Sequence, residues 1–212
     1  LFKSDVHAGL SGIELVEESH DLGEGILLRR AFAHIFSPFM IAFKPAPPGE
    51  HHPGPWKSAS GGFSFDVNAE LHIPAHIESE FGSKIAVART LLFLLRLGVN
   101  PAITLPVFAN YPFDTLSRTP NADAMLLPYE IQRRYFPLGA VGGRVDQRAV
   151  SWVSERWKTT DTLQKFSPEF DLAVEAIDSV QFIENPALAL ISLWGALEGL
   201  FSPAKAELRF RV

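Results

Sequence analysis

Residues 63–73 read FSFDVNAELHI, and this stretch decides the fold class. Apolar side chains alternate with polar ones from Phe63 to His72, which is the period of a strand with one buried face and one wet face. Other short segments are rich in β-branched and aromatic residues and are bounded by turn-forming residues, so they also predict strands. These segments are 12–17, 26–36, 39–43 and 102–109.

One helix and one long loop interrupt the predicted sheet. From Ile77 to Leu95 apolar residues recur at spacings of three and four, and Gly98 closes the helix. Residues 44–56 contain five prolines, which predicts an exposed loop of polyproline character. The first 140 residues therefore predict a sheet-rich region with one packed helix.

Residues 141–212 predict helices, and a glycine-rich stretch at 139–143 predicts the boundary between the two regions. Several helix starts are marked by a capping residue, often before a proline, the residue favoured at the first helical position. The caps are Asp146, Ser167, Asn185 and Ser202. Segment 187–201 is apolar nearly all round, as expected of the central member of a bundle.

Composition limits the possible functions. The 212 residues are 47% hydrophobic and 20% charged with a net charge of -5, a globular profile without a basic stripe for nucleic acid. The absence of cysteine excludes disulfides, thiolate metal sites and a cysteine nucleophile, and it suits a cytoplasmic location. The longest apolar stretch, 186–197, falls short of the about 20 residues that a membrane span needs.

Residues 185–211 read NPALALISLWGALEGLFSPAKAELRFR. A Leu-Trp-x-Ala-Leu-Glu helix followed by Glu-x-Arg-x-Arg resembles the helical core of the Apea-like HEPN domains, all-α domains of bacterial defence and toxin systems. The resemblance extends over roughly residues 145–212. It implies an α+β chain whose helical part is an incomplete, all-α HEPN-like bundle. It also implies a ribonuclease that cuts RNA without metal as a homodimer.

The catalytic motif of such ribonucleases is Arg, four to six residues, then His on a helix, because Arg neutralises the phosphate and His moves a proton. All seven histidines here lie at or before His76. We therefore expect the catalytic helix beyond Val212. The chain is then a C-terminally truncated, inactive front part with no catalytic residue, cofactor or metal of its own.

Glu198 lies in an otherwise apolar helix, where an unpaired carboxylate is costly, so it predicts a partner. Arg209 and Arg211 of the following segment are the expected partners, in a pair that fixes helix register or supports a nearby RNA site. Glu207 completes this predicted polar cluster.

Other candidate sites have plainer interpretations. Glu50, His51, His52, His72 and His76 are suitable zinc ligands, but the last two flank Pro74 and the others lie in the loop, so no metal site is predicted.

Arg29 and His34 match the Arg–His spacing on a predicted strand, where one such match arises by chance. Ser202 and Lys205 fit a serine acyl-enzyme pattern that capping explains equally well. We expect the tryptophans at 152, 157 and 194 to be core anchors. We expect Arg133 and Arg134 to be charges exposed to solvent.

Three functions follow from these residues. The leading hypothesis is the front part of a defence-type or toxin-type ribonuclease. The alternative is a non-enzymatic sensing or interaction module in which the sheet region binds a partner or ligand and the helices dimerise. A hydrolase built on the sheet is the weakest, because the sequence reveals no grouping of nucleophile and base.

Overall fold

A computed structural model describes residues 4–135 and 143–201. The strands are β1 Val6–Ser11, β2 Ile13–Leu15, β3 Ser19–Asp21, β4 Leu27–Ala42, β5 Trp56–Ile73, β6 Thr104–Ala109, β7 Leu126–Pro128 and β8 Gly143–Val145. The helices are α1 Phe81–Gly98, α2 Phe113–Leu116, α3 Gln147–Phe166, α4 Pro168–Ser179 and α5 Pro186–Phe201, with a short 3₁₀ turn at Val180–Phe182.

Six strands form one antiparallel sheet in the order β3-β4-β5-β1-β6-β7, and β2 pairs with β8 in a small parallel sheet. The predicted strand at 63–73 is confirmed as the inner half of β5, while 26–36 and 39–43 join into the single strand β4. The sequence did not predict β1, which lies between β5 and β6. Its apolar residues Val6, Ala8 and Leu10 do alternate with the others, but the segment is short and contains alanine and glycine, which weakly favour a strand.

The outer halves of β4 and β5 extend past the rest of the sheet. Phe36–Ala42 of β4 pairs with Trp56–Ser64 of β5, and we call this pair the outer ribbon. Within the described residues, β1 pairs with β5 only over 69–73 and β3 pairs with β4 only over 27–29. The predicted loop at 44–56 is confirmed, since it connects the two strands and is largely exposed.

One large core joins the two regions that the sequence separates at residue 140. Helix α1 covers one face of the sheet with Leu91, Leu92 and Leu95, and α3 packs against α1. Val153 and Trp157 of α3 belong to the same buried cluster as the sheet residues. The predicted glycine-rich boundary falls almost entirely on residues 136–142, outside the described residues.

The helical part is not an incomplete HEPN-like bundle, and that prediction is wrong. Helix α5 was expected at the centre of a bundle, but it packs mainly against α4, where Ala196 forms a buried cluster with Ala173 and Ala176. Trp194, the expected core anchor on α5, is 68% exposed. An apolar pattern determines what a helix prefers to contact, and the described part of the chain covers only a narrow stripe of α5.

The local helix signals are confirmed wherever they can be seen. The side chains of Asp146 and Ser167 accept hydrogen bonds from the backbone N–H groups of Ala149 and Phe170, and Asn185 accepts one from Ala187. The predicted start at Ser202 lies outside the described residues. Among the described helices, none has both the length and the apolarity required to cross a bilayer.

Candidate functional site

A cluster of ionisable side chains lies on the sheet face opposite α1. His7 of β1 is directly opposite His72 of β5, and Arg29 of β4 is opposite Glu70 of β5. Because side chains alternate along a strand and match across an antiparallel pair, this register brings all four to one face. Asp5, just before β1, joins them through His72.

Glu70 is the centre of the cluster and is only 1% exposed. One of its carboxylate oxygens accepts from His7 Nδ1 at 2.6 Å and from Arg29 Nη2 at 2.6 Å, and the other accepts from the Phe113 N–H at 2.9 Å. Burial by itself raises the pKa of Glu70, but the hydrogen bonds from His7 and Phe113 outweigh it. The pKa therefore lies below its ordinary value, and the carboxylate is held charged and fixed in orientation.

A second pair borders the first. His72 Nε2 lies 2.9 Å from Asp5 Oδ2, and the Ala75 N–H donates to the other carboxylate oxygen at 2.9 Å. Burial by itself raises the pKa of Asp5. The hydrogen bonds from His72 and Ala75 lower it by more, so the pKa lies below its ordinary value. The rings of His7 and His72 stack with centroids 5.0 Å apart.

The cluster lines an open cleft of about 550 Å³. Its polar wall consists of Asp5, His7, Arg29 and His72, and the exposed Tyr111 also lines it. Two imidazoles and one carboxylate on one wall can take up or release protons or hold a cation. A nearby guanidinium can bind an anion.

The structure separates the five residues that the sequence considered as zinc ligands. Only His72 belongs to the cluster. His76 Nε2 donates to the Glu24 carbonyl at 3.0 Å, and His52 Nδ1 donates to the Lys44 carbonyl at 2.9 Å. Glu50 and His51 are exposed in the loop of the outer ribbon.

The residues that complete the cluster escaped sequence reasoning. Alternation in 63–73 did place Glu70 and His72 on the same face of a strand. His7 and Asp5 precede them by more than 60 residues, and only the pairing of β1 with β5 unites them.

Arg29 and His34 both lie on β4, as the sequence predicts, but they serve separate partners. Arg29 binds Glu70, whereas His34 Nδ1 pairs with Asp66 at 2.7 Å in an exposed position. Their spacing therefore reflects two independent cross-strand pairs.

Of the predicted polar cluster, only Glu198 lies within the described residues, where it is exposed on α5. Glu207, Arg209 and Arg211, together with the Ser202–Lys205 pattern, lie outside the described residues.

Among the remaining candidates, the two tryptophans of α3 pack against the core, whereas Arg134 differs from its prediction. Trp157 is a core anchor, as predicted, and its indole N–H donates to the Leu22 carbonyl at 2.9 Å. Trp152 is partly buried against the same core. Arg134 is half-buried and donates to the Ala102 carbonyl, so it is a structural group rather than a solvated charge.

A search of family models, of curated proteins and of solved structures finds no match to this chain.

Proposed function

We propose that this chain is an interaction module that self-associates through the outer ribbon, with a second copy of the chain as the partner. The proposal is supported by one observation: the ribbon carries large apolar side chains that are not covered. Phe36 is 69% exposed, Met40 49% and Trp56 48%. An isolated two-stranded ribbon is marginally stable in water, and a cluster of exposed aromatic residues is typical of an interface.

Self-association fits the ribbon because its surface is complementary to itself. Its strands are antiparallel, and over residues 57–65 the free edge of β5 has no proline, so each backbone N–H there is intact. An antiparallel edge can pair with its own copy across a two-fold axis, which removes the unpaired edges and sets the apolar side chains of the two ribbons side by side on one face. In β4, Pro38 removes a backbone donor, which favours β5 as the pairing edge.

Sedimentation velocity over a range of micromolar concentrations tests this proposal. We expect the wild-type chain to be dimeric and the double variant Phe36→Ser, Met40→Ser to be monomeric, because the variant loses apolar area from the ribbon. Phe166→Ser is the matched control, since Phe166 is 83% exposed at the end of α3, away from the ribbon.

Two outcomes contradict the proposal. One is a wild-type chain that stays monomeric at every concentration. The other is a chain that remains dimeric in the ribbon variant but becomes monomeric with Trp194→Ser, which places the interface on α5.

A second proposal is that the full-length protein is a HEPN-type ribonuclease for which this chain is an inactive front part. It is supported by the resemblance of residues 185–211 and by the uncovered apolar face of α5, where Ile191 and Trp194 are exposed. Cytoplasmic location and action in defence belong to this proposal.

The native full-length protein tests the second proposal. It should contain Arg, four to six residues, then His on a helix, and it should cleave RNA in excess chelator. A native chain without that motif, or cleavage that depends strictly on added metal, contradicts it.

A further inference from the structure

Asp5, His7 and His72 have the donor types and spacing of a metal site. One ligand atom from each lies within 4.8 Å of the other two. The ligand atoms of a tetrahedral ion bound at about 2.0–2.2 Å lie roughly 3.4 Å apart. Asp5 Oδ2 and His72 Nε2 are 2.9 Å apart, so these two atoms must separate by about 0.5 Å and the stacked ring of His7 must turn for all three to reach that geometry.

Glu70 places His7 in the orientation that a ligand needs. Its carboxylate binds Nδ1 of His7, so Nε2 is the ring nitrogen left for an ion. Arg29 and the Phe113 N–H hold Glu70 in turn. A carboxylate on the far nitrogen of a ligating histidine fixes its ring and tautomer and raises its basicity.

The donor set and the open cleft define the class of ion. Two imidazoles and one carboxylate suit a divalent first-row transition ion, whereas hard ions such as Mg²⁺ prefer oxygen ligands throughout. Three protein ligands leave a coordination position free, and the cleft of about 550 Å³ gives water or a small ligand access to it.

We propose that Asp5, His7 and His72 bind a divalent first-row transition ion of the zinc type, with Glu70 as the residue that positions His7. This site is independent of the outer ribbon, so its test and the dimer test can fail separately.

The test uses the whole chain, stripped with EDTA and dialysed, then titrated with Zn²⁺ by calorimetry and with Co²⁺ by visible absorption. We expect one ion per chain and the absorption of tetrahedral Co²⁺. His72→Gln and Asp5→Asn should weaken binding at least tenfold and abolish that spectrum. Glu70→Gln should weaken it about 10-fold to 100-fold while one ion per chain is still bound.

His34→Gln is the matched control, because His34 of β4 and Asp66 of β5 form an exposed histidine–aspartate pair that has no third ligand candidate among the described residues. This variant should bind Zn²⁺ as the wild type does. The double variant His51→Gln, His52→Gln controls for the histidines of the loop and should also retain binding.

Circular dichroism and the unfolding midpoint in EDTA show whether each variant is folded. His72 and Asp5 are the primary substitutions, because His7 is buried and its replacement endangers the fold. If a variant unfolds, the wild type itself decides whether the chain binds the ion, because binding to the folded state raises the unfolding midpoint when Zn²⁺ is added.

A wild-type chain that shows neither stoichiometric binding nor a raised midpoint overturns the proposal. Binding that survives His72→Gln but disappears with the loop double variant also overturns it. Undiminished affinity in Glu70→Gln overturns the positioning role of Glu70.

Discussion

Gly9 lies on β1 beside the candidate site, where a side chain has no room. A Cβ atom there would lie 2.9 Å from Phe113 Cζ, 3.0 Å from Val67 Cγ2 and 3.1 Å from Val107 Cγ1. Because Phe113 also donates its backbone N–H to Glu70, the packing at Gly9 and the orientation of the site are coupled. The absence of a side chain at Gly9 therefore lets Phe113 pack where its N–H reaches Glu70.

We expect Gly9→Ala to lower the free energy of unfolding by about 1–3 kcal/mol, because overpacking forces the Phe113 ring away from β1. Urea denaturation measures the change. Gly82→Ala is the control, since nothing lies within 4 Å of a Cβ at that position on α1, and alanine there should be neutral or slightly stabilising. Equal stability of the two variants would contradict the tight packing at Gly9.

At the scale of elements, α5 is attached to the molecule by small residues. Ala189 and Ala196 are seven residues apart, two helical turns, so they lie on one face of α5. Ala196 meets Ala173 and Ala176 of α4, and contacts between such small residues allow the helices to approach closely. The large side chains of α5 point elsewhere and are exposed, so the attachment buries little area.

We expect Ala176→Leu to loosen α5 from α4, because the larger side chain cannot fit between two alanine faces. Hydrogen exchange of α5 amides should become at least about tenfold faster, while exchange in α1 stays unchanged. Leu190→Ala, an exposed change on α5 itself, should leave both rates as they are apart from a small effect of helix propensity. If hydrogen exchange becomes faster in α5 and α1 together, α5 does not open as a separate unit.

At the scale of the whole molecule, a buried ionic group connects distant segments. Arg96 of α1 donates to Glu130 at 2.7 Å, to Asp178 of α4 and to the Ile103 carbonyl at 2.8 Å. Glu130 also accepts from the Leu105 N–H of β6 at 2.8 Å. Since α1, β6 and α4 meet at this point, the cluster joins the sheet to the later helices.

This cluster predicts a pH dependence of global stability. Burial raises the pKa of Glu130 above its ordinary value of 4.5, although Arg96 opposes the rise. The folded state then binds the proton more tightly than the unfolded state, so the free energy of unfolding falls as pH rises from 4.5 through the raised pKa.

Glu130→Gln removes this titration. We therefore compare the free energy of unfolding of the wild type with that of the variant. The wild-type value minus the variant value should decrease as pH rises above 4.5 and should not change with pH below 4.5. Urea denaturation of both proteins from pH 4 to pH 8 measures the difference. A difference that increases with pH would show that the pairing with Arg96 outweighs burial.

The sequence alone determined the local structure of this protein. Strand alternation in 63–73 and the caps at Asp146 and Ser167 depend on residues a few positions apart, so they can be recognised without the fold. Only the tertiary structure decided that His7 lies beside His72 and that Trp194 is exposed. Both depend on which distant segments pack together, and hydrophobic periodicity specifies the face of an element but not the partner that covers it.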